Sequence, residues 1–66
     1  MELMRISLKA ARVNANLTQE ELAMAVGVSK KTVGAWESGE RLPKADKIDI
    51  ICQVVGVSYD NIQWQR

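Results

Sequence analysis

The stretch TQEELAMAVGVSKKTVGAWESG, Thr18 to Gly39, decides the fold. It opens on Thr18, with Glu21 three positions later. That is the spacing of a capping box: the Thr hydroxyl accepts from a first-turn amide, and the Glu carboxylate accepts from the Thr amide. Leu22, Ala23 and Val26 follow at helical spacing, and Gly27 supplies the left-handed residue on which helices commonly stop. Leu17, just ahead of the cap, is placed to pack over the helix start. Val28 and Ser29 then lead into a second unit. Ser29 is a good N-cap, Val33 and Trp36 share a face, and Gly39 closes the segment. The spacing therefore predicts a helix opened by Thr18 and stopped near Val26, then another from Lys30 to about Ser38. Helix pairs joined by so tight a turn cross steeply, and the second can project from the body of the domain.

Outward from this pair the punctuation stays helical. Upstream, Ser7 is positioned to cap a first helix running to about Asn14, with Leu8 and Ala11 on one face and Arg12 beside them. Ala15 and Asn16 turn the chain, Asn being the non-glycine residue that best tolerates the left-handed region. Downstream, the loop Glu40-Arg41-Leu42-Pro43 carries the only proline. Ile48, Ile51, Cys52 and Val55 recur at i, i+3, i+4 and i+7, the most regular amphipathic pattern in the chain, so a fourth helix is expected from about Lys44 to Val55. Gly56 ends it. Ser58 is expected to cap a last short helix with Tyr59 and Ile62. The tail, Gln63 to Arg66, offers no clear partner. No segment shows the alternation of a half-buried strand.

Composition narrows the function. With 66 residues there is room for one domain with a thin core. Phe is absent and Trp36, Tyr59 and Trp64 are the only aromatic residues, so the core must be aliphatic. Cys52 is the single cysteine and there is no histidine, which leaves neither an intrachain disulfide nor a zinc-site spacing. Cys52 reads as a small apolar residue of the core. Catalysis is not expected: there is no nucleophile–base pair and no phosphate-binding glycine loop, and Asp46 and Asp49 read as an exposed charged face. No metal or cofactor is expected. The opening MELMRISLKAAR lacks an apolar run long enough for a secretory leader, and no stretch is long enough to cross a bilayer, so a reducing cytoplasm is the expected setting. Net charge is only +1. Its distribution says more: Lys30, Lys31, Arg41 and Lys44 cluster in the middle third, while Glu20, Glu21, Asp46, Asp49 and Asp60 lie mostly outside that cluster.

LTQEELAMAVGVSKKTVGAWESGERLP followed by IDIICQVVGVS resembles the phage-repressor and Cro-type helix-turn-helix family (XRE-like), from roughly Leu8 to Ile62. The agreement is one of spacing: the T-Q-E-E-L-A opening, the small Ala23, the Gly27 turn, S-x-x-T-V, the W-E-x-G closure, then L-P and V-G-V-S. The resemblance implies an all-α, compact five-helix, lambda-repressor-like domain over residues 1–66. It also implies sequence-specific binding of double-stranded DNA as a transcriptional regulator, more often a repressor, with the third helix in the major groove. A bacterial or phage source fits it best.

The resemblance also implies roles for single residues. Lys30, Lys31, Gly34 and Ala35 stand where the family faces base edges; lysine can donate to guanine O6 and N7, and alanine can touch a thymine methyl. Gly34 either admits close backbone approach to DNA or is merely tolerated. Gln19, Ser38, Arg41 and Lys44 are expected at phosphates, which set register rather than sequence. Thr32 either bonds a phosphate or turns back into its own helix. Arg12 and Glu37 resemble the family's ion pair between the first helix and the end of the third. Val28 and Val33 should be core, and Trp36 is read as packing rather than base stacking.

Partners follow from geometry and resemblance together. One reading helix covers few base pairs, so a homodimer on a pseudo-palindromic operator is expected. Tyr59, Ile62 and Trp64, near the chain end, are the candidate interface, although Trp64 could instead cap its own core. Helix-turn-helix folds also serve as antitoxins and protein-binding adaptors, which leaves an additional protein partner open. A basic exposed face on the third helix favours DNA; an apolar one favours protein.

Overall fold

A computed structural model describes residues 5–64. The chain runs β1 (Ile6–Ser7), α1 (Leu8–Asn14), α2 (Gln19–Val26), α3 (Lys30–Ser38), α4 (Ala45–Val55), a single 3-10 turn (Tyr59–Asn61) and β2 (Ile62–Gln63). The first four residues, and the tail residues Gln65 and Arg66, lie outside the described residues.

Local chemistry accounts for the helix ends. The Ser7 hydroxyl accepts from the Ala10 amide and the Ser29 hydroxyl from the Thr32 amide. At α2 the capping box is complete: Thr18 Oγ1 accepts from the Glu21 amide at 3.0 Å, and Glu21 Oε1 accepts from the Thr18 amide at 2.9 Å. Helices α2, α3 and α4 each stop on a left-handed glycine: Gly27 at φ 86°, Gly39 at 84° and Gly56 at 72°. Asn16 makes the remaining left-handed turn at φ 62°. Lys44 is the N-cap of α4 and makes no side-chain cap bond.

The core lies where the inner faces of the helices meet. Leu8, Ala11, Leu22, Ala23, Val26, Val33, Trp36, Ile51, Val55 and Ile62 are buried in one cluster. Leu22, Val33 and Ile51 are fully buried; each contributes roughly 1.5–3 kcal/mol of burial relative to an exposed side chain. Ala23 lies inside α2, in its last turn. Its carbonyl accepts from the amides of Gly27 and Val28, and Val28 packs half-buried against the core. Pro43 is buried too.

Two expectations are corrected. Among the described residues the fold has four α-helices rather than five. Beyond α4, the segment over Tyr59 makes only one 3-10 turn, and Ser58 gives it no side-chain cap. The described residues also contain strand structure. Ile6 pairs with Ile62, and Ser7 with Gln63, in a two-stranded parallel sheet that ties the two ends of the domain together. Strands this short carry no alternation that a sequence could display.

Candidate nucleic-acid interface

The outer face of α3 is part exposed and part half-buried among the described residues. Val33 and Trp36 are 0% and 7% exposed and anchor the helix against the core. Helical spacing then turns Lys31, Gly34, Ala35 and Ser38 to the opposite side, with Lys30 at the first turn on the flank between the two faces. Lys30 and Lys31 are exposed; Gly34, Ala35 and Ser38 are half-buried. A β-carbon built on Gly34 would meet nothing within 4 Å. The helix thus offers two cations at its start and a shallow floor of small residues along its length. Arg41 and Lys44 are exposed in the following loop, beside the exposed Glu40. The Arg41 amide donates to the Ala35 carbonyl at 3.2 Å, which fastens that loop to α3.

The polar side chains around this face are more committed than the sequence suggested. Gln19, expected to be free for a phosphate, donates from Nε2 to Glu37 Oε1 at 3.0 Å. The Thr32 hydroxyl lies 2.9 Å from Ser29 Oγ and so shares the N-cap. The Ser38 hydroxyl donates to the Ala35 carbonyl at 3.1 Å and accepts from the Glu40 amide.

Arg12 and Glu37 meet. Arg12 Nε lies 2.6 Å from Glu37 Oε2, with 10% and 5% of the two side chains exposed. Arg12 Nη2 adds a bond of 3.3 Å to Glu37 Oε1, and Nη1 donates to the Leu17 carbonyl at 2.8 Å. A pair so desolvated persists only when its remaining polar atoms are bonded. Among the described residues no buried side-chain nitrogen or oxygen lacks a partner.

Of the three residues expected at a dimer interface, Ile62 is buried and Tyr59 is exposed. Ile62 is 2% exposed and belongs to the core, so it cannot serve as a surface contact. Trp64 packs half-buried against that core, and its indole N–H donates to the Tyr59 carbonyl at 3.2 Å. The Tyr59 and Trp64 rings stack at 5.9 Å between centroids, which leaves Tyr59 56% exposed. Beside them lies an open groove of about 680 Å³, whose lining includes Arg5, Leu42, Pro43, Ile48, Tyr59, Asp60 and Trp64.

Sequence reasoning missed two contacts. Gln19 reaches Glu37 across eighteen positions. Lys47 Nζ, on α4, approaches the Val26 carbonyl at 3.5 Å, near the negative end of α2. The residue types gave a weak signal for both, a cation and an amide beside helix ends, but only the tertiary fold supplies their partners. Cys52 is half-buried. Burial, then the neighbouring Asp49 carboxylate, raises its thiol above the ordinary value.

A short helix pair turning through a left-handed glycine, with the second helix anchored inward and bare outward, defines a helix-turn-helix domain. The chain belongs to the XRE-like helix-turn-helix family, whose model matches residues 8–62. It is 39% identical over 56 residues to the antitoxin PezA of Streptococcus pneumoniae, an alignment covering 85% of this chain and 35% of that protein. It is 34% identical over 55 residues to the HTH-type transcriptional activator BcrR of Enterococcus faecalis, covering 83% and 27%. It is 39% identical over 46 residues to the cryptic phage CTXphi transcriptional repressor RstR of Vibrio cholerae, covering 70% and 41%. The chain thus spans well under half the length of each of these relatives. No solved structure matches it significantly.

Proposed function

We propose that this chain binds double-stranded DNA sequence-specifically and regulates transcription, as a repressor, by laying α3 in the major groove. The observation that carries the reading is the division of α3 into two faces. Val33 and Trp36 bury one, while the exposed Lys30 and Lys31 and the half-buried Gly34 and Ala35 lie away from it. The major groove is about 12 Å wide and admits one such helix. Lys30 and Lys31 read guanine edges, and Gly34 and Ala35 let the helix backbone sit close to the bases. Arg41 and Lys44 hold phosphates. Thr32 and Ser38 flank the same face, with their hydroxyls already bonded within the protein. Family membership, and relatives named as transcriptional activator and repressor, support regulation of transcription as the task; the phage repressor RstR supports the sign. The reading needs no cofactor and no catalytic residue. It places the protein in a bacterial or phage-infected cytoplasm, and no helix among the described residues is long and apolar enough to cross a membrane.

The same reading includes a homodimer on a pseudo-palindromic site. The groove lined by Leu42, Pro43, Ile48 and Tyr59 is the surface for the second copy. Leu42 and Tyr59 are exposed apolar residues within it, and Arg5 and Asp60 are opposite charges that a two-fold axis can exchange between copies. The antitoxin among the relatives supports a further protein partner as a second reading. Selection of bound sequences from random duplexes, at near-physiological salt, separates the two. The proposal expects an enriched motif with half-sites about 34–36 Å apart. A folded protein that enriches nothing contradicts it and favours the protein partner.

A further inference from the structure

The Glu37 carboxylate does more than neutralise Arg12. Oε2 accepts from Arg12 Nε, while Oε1 accepts from both Arg12 Nη2 and Gln19 Nε2. A carboxylate only accepts, so the Gln19 amide must turn its nitrogen, not its oxygen, toward Glu37. One of its two N–H groups is consumed there, and the other is left over. Gln19 is the first residue of α2, where first-turn backbone amides and the helix dipole already favour an anion. A phosphate oxygen also only accepts. The spare N–H is therefore the single side-chain group with which Gln19 can meet it.

We propose that Glu37 is a positioning residue for DNA binding: it holds the Gln19 amide so that its second N–H meets a backbone phosphate. Arg12 makes this possible. An uncompensated carboxylate so close would repel the phosphate, and the guanidinium cancels it while fastening the α1–α2 linker through the Leu17 carbonyl. Holding the amide in advance removes the rotamer entropy that a free glutamine loses on contact. The inference rests on the DNA-binding reading above.

The test is a double-mutant cycle on the full chain. Affinity is measured for a random-sequence duplex at one fixed salt concentration, where phosphate contacts dominate. Replacing the ion pair by apolar residues of similar length, Arg12→Met with Glu37→Met, removes the clamp without stranding a buried charge. Gln19→Ala is expected to weaken binding about ten-fold, the scale of one hydrogen bond to a charged group. The Met pair is expected to cost several-fold in the unaltered background and nothing further once Gln19 is Ala. A penalty of equal size in both backgrounds overturns the proposal, because the ion pair is then only structural. If the Met pair does not fold, the Gln19 side-chain amide resonances of the unaltered chain decide. One Nε2 proton that alone moves on adding duplex supports the clamp; two protons that move together, or a pair indifferent to DNA, overturn it. Failure of the unaltered chain to bind any duplex overturns the DNA-binding reading itself, and the clamp with it.

Discussion

Arg12 and Glu37 stand twenty-five positions apart in sequence, and their Nε and Oε2 atoms are 2.6 Å apart in space. The contact joins the first helix to the last turn of the helix proposed to read DNA, so the setting of α3 depends on a residue far from its exposed face. Both side chains are almost fully buried, which makes the two halves of the pair unequal to the whole.

Removing one partner should therefore cost more than removing both. Glu37→Ala leaves a guanidinium buried and unpaired and is expected to destabilise the fold by about 3 kcal/mol or more. For a domain of this size that lowers the melting temperature by at least about 10 °C. Arg12→Met with Glu37→Met should melt well above Glu37→Ala. Thermal unfolding followed by circular dichroism checks the order; a double variant that melts no higher than the single one contradicts the burial argument.

Gly34 and Gly27 should respond to alanine in opposite directions. Gly34 lies inside α3 with open space where a β-carbon would sit, so Gly34→Ala is expected to stabilise by about 1 kcal/mol. Gly27 sits at φ 86°, and Gly27→Ala is expected to destabilise by about 1–2 kcal/mol. If the α3 backbone approaches DNA closely, the more stable Gly34→Ala variant binds DNA less tightly. A variant that gains stability and keeps full affinity excludes that close approach.

Cys52 should be a slow nucleophile. Burial and Asp49 raise its thiol above the ordinary value, so the folded protein holds less thiolate than a free cysteine at the same pH. The sign for stability follows. Folded chains keep the proton to higher pH than unfolded ones, so this group's contribution is intact below the unfolded thiol's pKa and declines as pH rises above it. Alkylation should be slower in the native chain than in urea, across the mildly alkaline range. Equal rates in the two states contradict the assignment.

Much of this fold was legible because its punctuation is local. Thr18 with Glu21, Ser29, and the left-handed Asn16, Gly27 and Gly39 act within a turn of themselves, so backbone sterics and capping hydrogen bonds announce them wherever the rest of the chain goes. Helical period alone puts Val33 and Trp36 on one face, and the family resemblance implies that this face turns inward. What escaped is non-local or too short to have a period. The Ile6–Ile62 pairing joins opposite ends of the domain through strands of two residues. It also explains why Ile62 is core rather than surface. Tyr59–Asn61 is a 3-10 turn because three residues before a strand leave no length for an α-helix. Around the candidate interface, residue types identified which side chains face outward. They did not show that Gln19, Thr32 and Ser38 already hold protein partners, because those bonds depend on how α1, α2 and α3 come together and on the geometry of each helix end.

The reading of α3 as the element that specifies sequence is tested most directly by alanine substitution at Lys31, with affinity measured for a selected duplex and for random duplex at the same salt. The account predicts that Lys31→Ala loses affinity for the selected site far more than for random DNA, by about ten-fold or more in the ratio, since a base contact carries roughly 1–3 kcal/mol of discrimination. Arg41→Ala, as the phosphate control, should weaken both about equally and flatten the salt dependence. Equal losses on both duplexes for Lys31→Ala, indistinguishable from Arg41→Ala, would contradict the assignment of base reading to this lysine.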